Sequence, residues 1–143
     1  MSDCLFCRIV AGEIPSTQVL ADARVVVFMD INPIAHGHCL VVTREHRANL
    51  GEISDEEGAA VMSACRRVAR AVHDALRPDG LNLHQSNGSV AGQVVGHFHM
   101  HVIPRWEGDG GGPGWRSHKG DPERIAEAAA AISASLGSSG AGG

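Results

Sequence analysis

The 143-residue sequence has no tyrosine, and Phe and Trp together make up only 3% of it. Proteins that hold single-stranded nucleic acid stack its bases on aromatic platforms, so this shortage argues against that class. A basic excess is also missing. Lys plus Arg number 12 against 16 Asp plus Glu, a formal net charge of −4. Without a basic face to displace counterions, no nucleic-acid partner is expected. Long apolar runs are absent as well: stretches such as Val25–Met29 fall far short of the roughly 20 residues of a membrane span. Residues 1–8 lack a basic segment followed by an apolar run, so no secretory leader and no membrane partner are expected. The expected location is the cytoplasm. With 43% hydrophobic and 20% charged residues, the chain can bury one core of ordinary size.

Cysteine is sparse but patterned. Cys4 and Cys7 form a Cys-x-x-Cys pair, while Cys39 and Cys65 stand alone and read as core residues. In a reducing compartment such a pair signals metal binding or redox chemistry rather than a structural disulfide. A redox pair follows a strand and opens a helix, whereas only three residues precede Cys4. Two thiols and two imidazoles would complete a closed tetrahedral zinc site. Nine histidines are available, and spacing alone does not choose between them.

Residues 24–30 and 37–43 are rich in β-branched side chains and read as strands, with a shorter strand at 18–21 before them. Ser54 with Glu57 three residues later makes a capping box. It opens a helix over 55–77, in which Val61, Cys65, Val68, Val72 and Leu76 recur at three- and four-residue steps. Strands are expected at 81–86 and at 97–103, the latter stopped by Pro104. Residues 108–120 carry six glycines and read as a mobile loop with Trp115 as its one large anchor. Asp121 and Pro122 open an Ala-rich helix to about Leu136, and 137–143 are expected to be a disordered tail. The expected fold is α+β, one domain over 1–136: an antiparallel five-stranded sheet with one long helix and a C-terminal helix.

His97, His99 and His101 alternate, so a strand would turn all three rings to one face. Such a row strains around a single ion but suits an extended ligand, and phosphate is the natural one. Each imidazole offers a donor, and a central ring can attack phosphorus. The preceding Ala91-Gly-Gln-Val-Val-Gly96 supplies amides for an anion nest.

His97-Phe-His-Met-His-Val-Ile103 resembles the signature of the histidine triad nucleotide hydrolases and transferases. Asp30-Ile-Asn-Pro, Gly37-His-Cys-Leu-Val-Val, Glu45-His46 and Ala91-Gly-Gln93 fall where that family's segments fall. The resemblance implies a hydrolase or transferase that cleaves purine nucleotide conjugates at the α-phosphate and releases AMP or GMP. Those conjugates are phosphoramidates, acyl-adenylates or dinucleoside polyphosphates. It implies His99 as the nucleophile, with a covalent nucleotidyl-histidine, and His101, His38 and Gln93 beside it. Asp30 would bind the ribose. Phe6, Ile9, Phe28 and Ile31 would wall the base, and Ser86, Asn87, Gln93 and Val94 would lie along the phosphates. Zinc-bearing members nominate Cys4, Cys7, His46 and His97 as ligands of a structural zinc, and a homodimer is implied through the long helix and the 81–86 strand. The loop around Trp115 would then reach the partner's site. Val94 stands where close eukaryotic members carry Ser or Thr, and Ser86 where many carry Asn or Gln. Two other readings stay open: a nucleotide-binding regulatory module with little activity, and a zinc metallohydrolase using the three histidines. Among the remaining histidines, His36, His73, His84 and His118 read as surface or loop residues.

Overall fold

Five strands form one antiparallel sheet in the computed structural model, which describes residues 3–110 and 117–139. They are β1 (Gln18–Ala21), β2 (Val25–Met29), β3 (Cys39–Thr43), β4 (Gly80–His84) and β5 (His99–Arg105), in the order β1-β2-β3-β5-β4. Every residue of β2 and β3 is buried, which explains why both read as unbroken apolar runs rather than alternating ones. Val25, Val27, Met29, Cys39 and Val41 face one core, closed by α2 (Asp55–Leu76) and α3 (Pro122–Ser139). Val26, Phe28, Leu40 and Val42 face the other, closed by Phe6 and Ile9 of α1 (Leu5–Val10). Each fully buried aliphatic side chain here stabilises the fold by about 1.5–3 kcal/mol.

The long helix follows its sequence pattern. Val61, Cys65, Val68 and Val72 are buried along one stripe. Its stop comes at Arg77, which takes the left-handed conformation (φ 54°, ψ 51°) just before Pro78. Burial pushes the Cys39 thiol up to about 12 and the Cys65 thiol up to about 11.

Three expectations change. The histidine strand starts at His99 rather than His97, because the Phe98 N–H donates to the Arg47 carbonyl (2.7 Å) before the ladder begins. Nor does Pro104 stop it. Pairing with β3 ends at Val102, so from there β5 needs to satisfy β4 alone, and Pro104 sits opposite Leu81. Lastly, α3 continues to Ser139, and α1 is an element with no sequence signal beyond its Cys4 cap. Trp115 and residues 140–143 lie outside the described residues.

The capping box has a second duty. Glu57 accepts the Ser54 N–H (2.8 Å) and also binds the Arg47 guanidinium (3.0 Å), so it couples the start of α2 to the segment that receives Phe98. Burial raises the Glu57 carboxyl pKa, but the Ser54 amide and Arg47 more than reverse this and leave it lowered. Ser54→Ala should therefore cost about 1 kcal/mol and Glu57→Ala about 2–3 kcal/mol, read from urea unfolding midpoints. Equal costs would show that Arg47 adds nothing.

Candidate active site

The face of the sheet opposite α2 is only partly covered, and a cleft of about 740 Å³ opens there. Phe6, Ile9 and Phe28 form its apolar wall, with the Phe6 and Phe28 rings edge to face at 5.5 Å. Asp30 and Ile31, just past the end of β2, stand at its mouth, and His38, His99 and His101 line its polar side with Val94. The β3–β5 register sets His99 opposite Val42 and His101 opposite Leu40, which brings the histidines onto this face.

Hydrogen bonds decide which nitrogen of each ring carries the proton. A carbonyl only accepts, so the His99 Nδ1–H donates to the His97 carbonyl at 2.7 Å, and its Nε2 keeps a lone pair. The Ile34 N–H donates to His38 Nδ1 (3.0 Å), so His38 is protonated at Nε2 and donates to His101 Nδ1 (2.9 Å). His101 in turn carries its proton on Nε2. Asp30 accepts the Asn32 N–H at one oxygen (2.8 Å), and its other oxygen lies 3.5 Å from His38 Nε2.

The first histidine of the motif does something different. His97 is fully buried and donates Nε2–H to the Thr43 carbonyl (2.7 Å), which turns its Nδ1 lone pair toward Cys4 Sγ (3.4 Å) and Cys7 Sγ (3.5 Å). His46 Nδ1 lies 3.3 Å from Cys7 Sγ. A tetrahedral ion with bonds of about 2.0–2.3 Å has edges of roughly 3.3–3.8 Å between its ligand atoms. These four residues fit such an ion in both spacing and donor chemistry. Asp30, His38 and His101 also cluster, but the His38 lone pair at Nδ1 is already taken by Ile34, so a metal at Nε2 would demand an imidazolate.

Not every residue named from the sequence reaches the cleft. Gln93 spends its side chain on the scaffold, accepting the Gly88 N–H (2.7 Å) and donating to the Ala48 carbonyl (2.7 Å). Asn87 accepts the Leu50 N–H (2.8 Å), and Ser86 Oγ lies 3.0 Å from His84 Nε2; neither lines the cleft. Conversely, His84 is exposed, as expected, yet it also belongs to the cleft. It sits opposite His101 in the β4–β5 register and its ring lines the cleft, 5.6 Å from that of His101. An apolar shelf of Leu5, Ile14, Pro15 and Val95 was also not anticipated; it lies in segments without periodicity.

Known proteins share this sequence pattern and this fold. The HIT domain family model matches residues 11–108. The Bacillus subtilis protein hit is 42% identical over 140 residues, covering 96% of this chain and 97% of that protein. Adenosine 5'-monophosphoramidase hnt1 of Schizosaccharomyces pombe is 39% identical over 85% of this chain and 90% of its own. A zinc-bound histidine triad family protein from Mycobacterium smegmatis superposes with a TM-score of 0.86 at 32% identity, over 99% of this chain and 98% of that one. The chain belongs to the histidine triad family.

Burial lowers the pKa of His38 to about 4 against the opposing Asp30 carboxylate. Burial, and then the charges of His38, His99 and His84, lower that of His101 to about 3. Folding thus resists protonation that the unfolded chain accepts near pH 6.5. Stability should be full above that pH and fall as the pH drops toward 4, each histidine adding at most about 1.4 kcal/mol per pH unit. Urea unfolding of wild type and His101→Asn between pH 7 and 4 (about one unit apart) checks this; the variant should lose stability less steeply.

Proposed function

We propose that the protein is a hydrolase or transferase that cleaves purine nucleoside monophosphate conjugates at the α-phosphate, with His99 as nucleophile. The observation that carries this reading is the His99 Nδ1–H bond to the His97 carbonyl, which leaves a fixed Nε2 lone pair in the cleft. That lone pair bonds to the α-phosphorus while the bond to the leaving group breaks, and the leaving group departs with the electron pair and takes a proton from solvent. Water then adds to phosphorus and gives one proton to solvent, the phosphorus–Nε2 bond breaks with its electron pair returning to Nε2, and the nucleoside monophosphate leaves with neutral His99 restored. His101, protonated at Nε2 through its bond from His38, donates to the phosphate oxygens. Asp30 accepts the ribose hydroxyls, and Phe6, Ile9, Phe28 and Ile31 enclose the base. The phosphoramidase activity named for the Schizosaccharomyces pombe relative supports a P–N substrate.

One observation favours the second reading, a nucleotide-binding module with little turnover. Gln93 is held by Gly88 and Ala48, and Val94 offers no hydroxyl to a leaving group. Release of AMP from adenosine 5′-phosphoramidate separates the two. Wild type should turn over and trap a nucleotidyl adduct on His99 when quenched, and His99→Ala should lose at least about 10³-fold in kcat with AMP affinity kept. AMP binding without turnover would establish the module instead.

Cys4, Cys7, His46 and His97 would hold a structural zinc that pins α1 to the segment before β5 and supplies cross-linking, not Lewis acidity at the substrate. The zinc-bound histidine triad protein of Mycobacterium smegmatis supports zinc as the ion. A homodimer through α2 and β4 is supported by the open edge of β4 and the exposed Met62 and Leu83. No helix among the described residues is long and apolar enough to cross a membrane, and the cytoplasm is the location that fits the thiol pair. Native mass spectrometry should read a two-chain particle with one zinc per chain, and Cys4→Ser should remove the metal. Substoichiometric metal after purification without chelators would overturn the zinc.

A further inference from the structure

The segment 30–38 that borders the cleft also walls a second cavity, of about 280 Å³, which shares Asp30, Ile34 and His38 with it. The rest of its lining is unusual for a chain of net negative charge: His36, His118, Lys119 and Arg124 all border it. These residues are held in place by backbone contacts. The His118 N–H donates to the Pro33 carbonyl (3.2 Å) and the Gly120 N–H to the Ile31 carbonyl (3.0 Å). Gly120 lies so close to segment 31–33 that a Cβ would stand 2.8 Å from the Ile31 oxygen and from Pro33. The segment bearing His118 and Lys119 is therefore docked against the cavity wall.

Two carboxylates also face the cavity, and each already holds one backbone N–H. Asp30 accepts the Asn32 N–H (2.8 Å), and Asp121 accepts the Glu123 N–H (3.0 Å) at the start of α3, so the helix end is closed by its own cap. Lys119 and Arg124 have no ion-pair partner among the described residues. Burial lowers the pKa of His36, with the Arg124 guanidinium acting in the same direction and the Glu127 carboxylate against it. Lys119, Arg124, His36 and His118 together carry more N–H donors than Asp30 and Asp121 have lone pairs left to accept. A phosphate with three terminal oxygens matches them.

We propose that this cavity is a second anion site, distinct from the catalytic cleft, which takes a phosphate monoester group on Lys119, Arg124, His36 and His118. Its occupant lies against the segment whose Ile34 N–H fixes His38 and thereby the proton on His101. The phosphate has two sources: a free phosphate compound, or a second phosphate on the ribose of the nucleotide held by Asp30.

The test follows the His36 and His118 imidazole resonances while inorganic phosphate is titrated into the intact protein, with and without AMP in the cleft. Wild type should give saturable shifts at both residues, and the Lys119→Ala/Arg124→Ala variant should bind roughly tenfold more weakly or worse. Both side chains are exposed, so this variant should keep the wild-type melting temperature and AMP affinity. Shifts that are equal with and without AMP point to a free phosphate compound. Adenosine 3′,5′-bisphosphate moving His36 together with the cleft histidines, at an affinity above that of AMP, points to the ribose phosphate. Phosphate that moves only His99 and His101, or shifts that survive the double substitution, would overturn the proposal. Because His36 and His118 are read without turnover, failure of the hydrolase reading leaves this outcome interpretable.

Discussion

His97 is the residue on which the other parts of the site depend. It is buried with no exposed surface, and both ends of it are committed. Its ring donates to Thr43 at the end of β3 and offers Nδ1 to the two thiols, while its carbonyl receives the His99 proton. One residue thus fixes the N-terminal helix, the end of the central strand and the tautomer of the central histidine. A shift of the His97 backbone would lengthen the bond that keeps the His99 lone pair available, which couples the corner of Cys4 and Cys7 to the cleft through a single peptide unit.

The sheet makes this possible by using its two faces unequally. One face is sealed by α2 and α3 over an alanine- and valine-rich core. The other is sealed only where α1 lays Phe6 and Ile9 over Val26 and Phe28, and the uncovered remainder is the cleft. The apolar wall of the cleft is therefore also part of a core. This is why these side chains read from the sequence as packing and as ligand contact at once.

Much of this was legible in the chain, for physical reasons. The capping box at Ser54 and Glu57 and the stripe from Val61 to Val72 are strong local signals, and both capping bonds form. The alternation of His97, His99 and His101 placed three rings on one face, although only the last two lie on a strand. What escaped was non-local. His84 faces the cleft because of a strand register, which no single strand encodes. Gln93 turned from the cleft because the Gly88 amide and Ala48 carbonyl, far apart in sequence, both needed a partner. The helix α1 spans six residues, too few for a 3.6-residue period to be seen.

The two cores also sort the cysteines by chemistry. Only the thiolate reacts readily, and burial holds Cys39 at about 12 and Cys65 at about 11, so neither has appreciable thiolate at neutral pH. Cys4 and Cys7, half-exposed at the start of α1, are the two left for a reagent to reach. An alkylating probe added to the folded protein is thus a selective reporter on one corner of the molecule. The rate at which it reacts measures how firmly the first turn of the chain is fastened to the histidine behind it.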